Sequence, residues 1–340
     1  MLPIIIAHRG ASGWRPEHTL AAYDLAIDQG ADYVEPDLVM TQDGAPIARH
    51  ENEISGTTDV ADHPEFAGRR TSKWIDGVEV NGWFSEDFTL AELKPLRARE
   101  RLPQLRPANT AYNGLYEIPT LREIIALVRR KERETGRAIG IYPETKHPSY
   151  FRSIGLPLER VLVDILHDNG YRGPTAPVFI QSFEVANLQW LATFTEIPLI
   201  QLIDAGGRPY DFVASGDSRS YAELITPAGL AEIAGYAQGI GPDKNLIVPR
   251  DTGQRLLPST SLVDEAHRSG LRVHPWTFRS ENCFLPADFR RRGDPADPAY
   301  LRQHGDAAAE YRLFFDLGVD GVFSDFPGVA VWVRDKLPKP

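Results

Sequence analysis

The stretch that decides the fold is Tyr33-Val34-Glu35-Pro36-Asp37-Leu38-Val39, which combines strand-forming residues with two acids. We predict a strand here, because aromatic and β-branched residues favour extended backbone. A strand points alternate side chains to the same face, so Glu35 and Asp37 must project together. Two neighbouring carboxylates repel each other unless a cation or a proton lies between them. The stretch therefore predicts a strand and, at the same time, part of a charged site.

Runs of similar character alternate with amphipathic segments along most of the chain. We predict strands at Ile4–Ala7, Tyr33–Val39, Ala138–Glu144, Val178–Gln181, Pro198–Ile203, Leu246–Pro249, Arg272–Thr277 and Gly321–Ser324. Helical patterns cover Thr120–Thr135, Leu158–Asn169, Glu184–Thr193, Ala228–Gln238 and Ser259–Ser269. Several strands are continuous apolar runs, which is typical of strands covered on both faces. Eight strand–helix units favour an α/β protein with a (β/α)8, or TIM-barrel, fold over an open doubly wound sheet.

The segment from Asn52 to Tyr116 breaks this alternation. It is rich in Gly, Pro, Trp and charged residues and has no clear periodicity. A long insertion between a barrel strand and the following helix fits it best. We therefore expect a TIM-barrel catalytic domain over residues 1–51 and 117–340, with an inserted subdomain over residues 52–116 between the second and third barrel strands.

Length and composition limit the classes of function. The chain has 340 residues, of which 42% are hydrophobic and 25% charged, so a soluble globular protein is expected. The net charge of −10 argues against general binding to nucleic acid or to anionic lipid surfaces. No apolar run approaches the length of a membrane span. The single cysteine, Cys283, excludes an internal disulfide.

The N-terminal residues carry no signal-peptide pattern before the first predicted strand. We therefore expect either a cytoplasmic protein or a periplasmic or secreted one whose export signal has been removed. The sequence leaves the oligomeric state open, and a homodimer is compatible with it.

Polar residues recur where the predicted strands end, which in a TIM barrel is where reactive groups gather. Glu144 follows the third strand and would join Glu35 and Asp37 at this end of the barrel. Three carboxylates without a cysteine suit Ca²⁺ or Mg²⁺ far better than Zn²⁺. Such an ion would polarise a phosphate oxygen as a Lewis acid. The alternative for Glu35 and Asp37 is a set of ordinary salt bridges at a strand end.

Two histidines flank these acids. His8 ends the first strand, and His50 follows a short continuation of the second. Imidazoles donate and accept protons near neutral pH, so the pair would act as general base and general acid on opposite sides of a phosphorus atom. We assign His8 as the base and His50 as the acid, and the reverse assignment stays open. A lone histidine would more often be structural, but two beside three acids favour catalysis.

Four further residues are candidates for substrate binding. Arg9 and Lys146 offer cations for phosphate oxygens, or they pair with neighbouring acids. Glu17 could orient Arg9 or His50, contact the alcohol part of a substrate, or only start a helix. Trp276 could form an apolar wall for the leaving group or for glycerol, or pack in the core. The remaining histidines without a partner at informative spacing are interpreted as structural, and these are His147, His167, His267, His274 and His304.

Together these motifs resemble those of glycerophosphodiester phosphodiesterases, and more closely those of the bacterial exported, periplasmic type. The likeness covers nearly the whole chain and rests on His8-Arg9-Gly10, Pro16-Glu17-His18-Thr19, Glu35-x-Asp37, His50, Pro143-Glu144-x-Lys146 and Asp325-Phe326-Pro327. It implies a (β/α)8 barrel with an inserted segment. It also implies hydrolysis of small phosphodiesters, such as glycerophosphocholine or glycerophosphoethanolamine, to sn-glycerol 3-phosphate and an alcohol. The implied cofactor is a divalent metal, most often Ca²⁺, held by Glu35, Asp37 and Glu144.

Two positions depart from the family pattern. Glu51 follows His50 where the family usually has Asp, so a carboxylate that positions His50 would have a longer reach here. His18 takes the place of the usual Asn.

Two other functions stay open. One is a related lipid phosphodiesterase, for example a sphingomyelinase D-like enzyme, against which the long 52–116 segment argues. The other is a non-catalytic phosphate-binding surface protein, against which the presence of both His8 and His50 argues, because binding alone does not require two imidazoles.

Overall fold

Residues 2–338 are described by a computed structural model of the chain. The strands are β1 Ile4–His8, β2 Tyr33–Glu35, β3 Asp37–Met40, β4 Pro46–Ala48, β5 Thr71–Ile75, β6 Val78–Gly82, β7 Gly140–Ile141, β8 Glu144–Thr145, β9 Ile180–Ser182, β10 Leu199–Ile203, β11 Gly239–Pro242, β12 Arg272–Val273 and β13 Gly321–Ser324. The helices are α1 Leu20–Asp28, α2 Leu90–Leu93, α3 Leu121–Thr135, α4 Pro148–Ser153, α5 Leu158–Asp168, α6 Val185–Leu191, α7 Tyr210–Ser215, α8 Tyr221–Leu224, α9 Pro227–Ile233, α10 Leu262–Arg268, α11 Ala307–Asp316 and α12 Pro327–Arg334.

The barrel strands pair in parallel and close into a ring. β1 pairs with β13 on one side and with β2 on the other, and β2 pairs with β7. The continuations β3 and β8 pair with each other, and the order then runs through β9, β10 and β11 to β12. Backbone hydrogen bonds from Asp320 N to Val273 O (2.9 Å) and from Phe323 N to Pro275 O (3.1 Å) join the β12 region to β13. The predicted (β/α)8 fold is confirmed.

Prolines interrupt two neighbouring barrel strands. Pro36 separates β2 from β3, and Pro143 separates β7 from β8. Proline has no N–H to donate to a ladder, so the regular pairing breaks at these points. The parallel register resumes beyond them, with Asp37 opposite Glu144. The interruptions therefore still leave Glu35, Asp37 and Glu144 at the same end of the barrel.

Side chains from the strands and their adjoining residues fill the interior of the barrel. One buried cluster consists of Ile6, Tyr142, Phe179, Ile200 and Phe323. The ring of Tyr142 lies 5.0 Å from that of Phe323 and 5.1 Å from that of Phe179, and its hydroxyl is 2.8 Å from His274 Nδ1. The interior is thus a packed core rather than a channel, as expected for this fold.

The helix α3 begins and ends with recognisable signals. Thr120 Oγ1 accepts from Glu123 N at 3.2 Å, and the Glu123 carboxylate accepts from Thr120 N at 2.8 Å, which is a complete capping box. Gly136 follows with a left-handed φ of 67°. Among the helices of residues 2–338, none has both the length and the apolar character that crossing a membrane would require.

The prediction of the sixth strand at Leu246–Pro249 is wrong. The structure places this strand, β11, at Gly239–Pro242, and Leu246 ends a 3₁₀ turn. A Cβ atom at Gly239 would lie 2.8 Å from Arg272 O, and one at Gly241 would lie 2.6 Å from a methyl carbon of Leu202. Close packing therefore requires glycine in this strand, although glycine is a weak strand former.

The segment 52–116 lies between β4 and α3 and is more ordered than its composition suggests. It contains the antiparallel hairpin β5–β6, the short helix α2 and several 3₁₀ turns. Ile54, Phe66, Phe88 and Leu93 of this segment belong to the same hydrophobic cluster as the barrel's strands and helices. The segment thus shares the barrel's core, and its description as an inserted subdomain stays a prediction.

Candidate active site

Three buried carboxylates meet at the carboxyl end of the barrel. Glu35 ends β2, Asp37 begins β3 and Glu144 begins β8. One carboxylate oxygen from each of the three lies within 4.8 Å of the others, and all three residues are buried. The structure therefore brings together the three residues predicted to be metal ligands. Oxygen atoms at this spacing suit a hard divalent cation.

The surroundings shift the pKa values of these three acids in opposite directions. Burial and the charges of Asp37 and Glu144 raise the pKa of Glu35 well above its usual range. Burial raises the pKa of Glu144 to about 8, against the opposing charge of Lys146. For Asp37, burial is outweighed by a hydrogen bond from His18 and by nearby cations, so its pKa lies well below the usual range. A cation between the three would allow all of them to ionise.

Neighbouring groups hold the acids in place. Asp37 Oδ2 is 2.9 Å from His18 Nε2, and Glu35 Oε2 accepts from the backbone N of Arg9 at 2.8 Å. Gln181 Nε2 donates to Glu35 Oε1 at 3.0 Å, while the buried Gln181 Oε1 has no hydrogen-bond partner among residues 2–338. An orphaned amide oxygen beside three carboxylates fits a cation site, because a hard cation takes both kinds of oxygen ligand.

His8 is supported by a deeply buried carboxylate. Its Nδ1 lies 2.6 Å from Asp325 Oδ1, and Asp325 Oδ2 accepts from Arg106 Nη2 at 2.6 Å and from Arg279 Nε at 2.8 Å. An ionised carboxylate can only accept, so His8 is protonated at Nδ1 and its Nε2 is left for a reactant. Burial and the charge of Arg9 lower the pKa of His8 to about 4, despite the opposing charge of Asp325. The ring is therefore neutral at neutral pH, as a general base must be.

His50 has a more exposed support. Its Nδ1 lies 2.7 Å from Glu51 Oε1, and its Nε2 lies 3.4 Å from Lys146 Nζ. The Glu51 side chain is 49% exposed. Partial burial and the charges of Arg9 and Lys146 lower the pKa of His50 to about 3. The ring again offers Nε2 on the side away from its carboxylate.

One cavity of about 310 Å³ is lined by several of these groups. Its walls include both histidines, Glu35, Glu144, Arg9 and Lys146, together with Trp276. A volume of this size suits a small ligand.

The two predicted phosphate-binding cations face the cavity but are also paired with acids. Arg9 Nη1 lies 3.1 Å from Glu17 Oε1, and Lys146 Nζ lies 2.9 Å from Glu144 Oε1. Burial opposes the charge of each cation, but the neighbouring carboxylates outweigh it and raise the pKa of both. Glu17 is buried against Arg9 and Arg101, so any effect of Glu17 on a substrate is expected to pass through Arg9.

Trp276 lies on the wall of the cavity with its ring fixed. Its Nε1 donates to Gly241 O at 2.7 Å, and its ring meets Phe183 edge to face at 5.7 Å. The indole therefore presents a fixed apolar surface to the cavity. Trp276 lies on the cavity wall and also packs against the core, which are the two positions considered from the sequence.

Several residues of the site were missed from the sequence. Asp325 and Gln181 lie at the ends of predicted strands. That position indicated a place near the site, but the sequence did not indicate what either side chain does there. Arg106 lies in the irregular segment, where no pattern marks it. His147, interpreted as structural, contacts Glu51 and a residue of the β5–β6 hairpin.

Comparisons with known proteins identify the relatives of the chain. A model of the glycerophosphoryl diester phosphodiesterase family matches residues 8–329. The chain is 38% identical to glycerophosphodiester phosphodiesterase GDPD6 of Arabidopsis thaliana over 339 residues, covering 96% of this chain and 84% of the plant protein. It is 30% identical to the glycerophosphodiester phosphodiesterase of Haemophilus influenzae over 347 residues, covering 96% and 88%.

Solved structures share the fold. An Oleispira antarctica phosphodiesterase, determined in complex with the product sn-glycerol-3-phosphate, superposes with a TM-score of 0.62 at 22% identity, covering 98% of each chain. A glycerophosphodiester phosphodiesterase from Agrobacterium tumefaciens superposes with a TM-score of 0.59 at 17% identity, covering 97% of this chain and all of the other. The family match spans both histidines and all three acids, and the chain belongs to the glycerophosphoryl diester phosphodiesterase family.

Proposed function

We propose that the chain hydrolyses glycerophosphodiesters, such as glycerophosphocholine or glycerophosphoethanolamine, to sn-glycerol 3-phosphate and an alcohol with the aid of a divalent ion. The observation that carries the proposal is one cavity lined by Glu35, Glu144 and two histidines, each histidine supported at Nδ1 by a carboxylate. Asp37 completes the buried acidic triad beside it. The family membership and the names of the relatives agree with it.

Glu35, Asp37 and Glu144 would hold the ion, with Ca²⁺ as the first choice and Mg²⁺ as the alternative. The raised pKa of Glu35 and Glu144 and the orphaned oxygen of Gln181 support a cation at this position. A divalent ion bound there supplies charge neutralisation and polarises a phosphate oxygen.

The side chains divide the remaining work. Arg9 and Lys146 bind phosphate oxygens, and Trp276 packs against the glycerol or the leaving group. His8 Nε2 removes the proton from the attacking hydroxyl, which belongs to water or to the substrate's own glycerol. In the second case the departure of the alcohol leaves a cyclic glycerol phosphate, and a water molecule then opens the ring to give glycerol 3-phosphate. His50 Nε2 protonates the leaving alcohol. The bound phosphodiester anion offsets the charges of Arg9 and Lys146, so it raises the pKa of His50 and allows His50 to carry that proton.

A coupled assay for glycerol 3-phosphate over a panel of glycerophosphodiesters, with and without a chelator, tests the proposal. We expect release of glycerol 3-phosphate that stops on chelation and returns with Ca²⁺. Cleavage of intact lipids in place of glycerophosphodiesters would favour the lipid phosphodiesterase. Substrate binding without turnover at saturating Ca²⁺ would favour a phosphate-binding surface protein.

The metal ligands can be tested separately from turnover. Glu144→Ala removes one of the three converging carboxylates, so we expect metal affinity to fall by at least roughly 10–100-fold, the range for losing a residue that only orients a ligand. Isothermal calorimetry with Ca²⁺ measures this. An unchanged affinity would show that Glu144 is not a ligand. The compartment, periplasmic or cytoplasmic, and a homodimer both stay predictions.

A further inference from the structure

A continuous series of ionic contacts leads from His50 to the inserted segment. Glu51 Oε1 contacts His50 Nδ1 at 2.7 Å, and Glu51 Oε2 contacts His147 Nε2 at 3.0 Å. On its other side, His147 Nδ1 lies 2.6 Å from Asp76 Oδ2. The two oxygens of one glutamate thus connect two imidazoles, and a second carboxylate completes the series.

The chemistry of the donors fixes where the protons lie. Both nitrogens of His147 face carboxylate oxygens, which accept and do not donate when ionised. His147 must therefore be the imidazolium, which donates from both nitrogens. The pKa of His147 agrees, because hydrogen bonds to Asp76 and Glu51 outweigh burial and raise it to about 9. Glu51 therefore accepts a hydrogen bond from Nδ1 of His50. The other ring nitrogen of His50, Nε2, faces Lys146.

The β5–β6 hairpin brings Asp76 to this position. Ile75 pairs with Val78, so Asp76 and Gly77 form a two-residue turn, with φ values of 48° and 80°. Asp-Gly is a preferred sequence for such a turn. The stem is fastened by Lys73, whose Nζ donates to Glu86 at 2.9 Å and to Asp87 at 2.6 Å. Ionic contacts thus hold both the stem and the tip of the hairpin.

We propose that Asp76 and His147 are positioning residues for the reaction: they hold Glu51 so that His50 keeps its Nδ1 proton and directs Nε2 into the cavity. This inference rests on the proposed function of His50. It assigns a role in catalysis to the segment 52–116, through one carboxylate at the tip of its hairpin. It also gives a reason for the Glu at position 51, because the two imidazoles are connected by the two oxygens of its longer side chain.

Two variants isolate this series without straining the backbone. Asp76 and His147 both have left-handed φ values, 48° and 47°, which asparagine tolerates best after glycine. Asp76→Asn keeps the shape and removes the charge, and His147→Asn removes the bridging ring. Glu51→Asp is the third variant, because its shorter side chain retains contact with His50 and loses the connection to His147. The control is His267→Asn, since His267 forms a similar pair with Asp320 (2.8 Å) near the start of β13, at the opposite end of the barrel.

We expect kcat to fall about tenfold in His147→Asn and about threefold to tenfold in Asp76→Asn, with KM changed by less than about twofold. The His267→Asn control should match the wild type. In a Glu51→Asp background, Asp76→Asn should have no further effect, because the series is already broken there. Full additivity of these two changes, or an unchanged kcat in His147→Asn, would overturn the proposal.

A second measurement does not depend on turnover. Nitrogen-15 NMR of the histidine rings reports which nitrogen carries the proton. We expect His50 to be protonated at Nδ1 in the wild type and to lose this preference in part in Asp76→Asn and His147→Asn. An unaltered His50 signal in both variants would overturn the inference even if the enzyme hydrolyses no glycerophosphodiester. A wild type without activity whose His50 signal responds would instead reject only the proposed function.

Discussion

The two histidines of the site are supported in different ways. His8 depends on Asp325, a fully buried carboxylate that is also bonded by Arg106 and Arg279. His50 depends on Glu51, which is half exposed and is steadied in turn by His147. The support of His8 is therefore part of the core, whereas the support of His50 is near the surface. We therefore expect two supports of similar geometry to differ in how much they contribute to stability.

The largest expected effect comes from removing either imidazole. In His8→Ala or His50→Ala, we expect turnover to fall by roughly 10²–10⁴-fold, because each change removes a proton-transfer group. Calcium affinity should stay near that of the wild type, since neither ring is a proposed ligand. Steady-state kinetics and calorimetry measure the two properties, and loss of calcium binding in either variant would contradict the assigned roles.

Asp325→Asn should reduce both activity and stability. The change replaces the ionised acceptor of the His8 ring with a neutral amide, and it leaves the buried Arg106 and the partly buried Arg279 with less compensating charge. We expect kcat to fall by about 10²-fold or more, and the free energy of unfolding to fall by roughly 3–5 kcal/mol, the range for a broken buried ion pair. Denaturant unfolding is the check. A decrease in the free energy of unfolding of less than about 1 kcal/mol is typical of an exposed ion pair. Such a result would show that Asp325 and Glu51 do not differ in their contribution to stability.

Glu51→Gln should reduce activity while leaving stability nearly unchanged. We expect kcat to fall by roughly 10–100-fold, because the ring of His50 loses its ionised acceptor. The free energy of unfolding should change by less than about 1 kcal/mol, as for exposed ion pairs. The same kinetic and unfolding measurements apply. A destabilisation as large as that of Asp325→Asn would show that the two supports are equivalent.

The last prediction concerns pH. The folded pKa of His147 is raised from 6.5 to about 9 by Asp76 and Glu51 against burial and the charge of Lys146. A group whose pKa is higher in the folded than in the unfolded state stabilises the fold. This stabilisation is fully present below the pKa of the unfolded state and is lost as the pH rises through the pKa of the folded state. The difference in unfolding free energy between wild type and His147→Asn should therefore be constant below about pH 6.5 and shrink towards pH 9. A difference that grows with pH would contradict a charged His147.

The parts of the fold that follow local patterns could be predicted from the sequence. Buried apolar runs such as Ile4–His8 and Gly321–Ser324 mark their own strands, and Thr120 with Glu123 marks a helix start. The strand Gly239–Pro242 could not be predicted, because its glycines are required by neighbours from β10 and β12. Because the three acids and both histidines lie at or near the ends of predicted strands, their position at one end of the barrel could also be predicted.

The supports of the site depend on distant pairs. Asp325 is 317 positions from His8, and Asp76 is 71 positions from His147. No periodicity or local motif encodes contacts of this range. The candidate catalytic and metal-binding residues could therefore be proposed from the sequence, whereas most of their partners could not. Glu51 is the exception, since it adjoins His50 and its departure from the family pattern pointed to its reach.

The hairpin with Asp76 at its tip has a consequence for how such an enzyme can change over time. It contributes a charge to the site but no strand to the barrel, and its turn consists of two residues. On the proposed roles, natural variation in this hairpin can adjust the rate of the reaction while the barrel residues proposed to hold the ion stay unchanged. Related enzymes could therefore differ in reaction rate through changes in this peripheral hairpin while they still catalyse the same reaction.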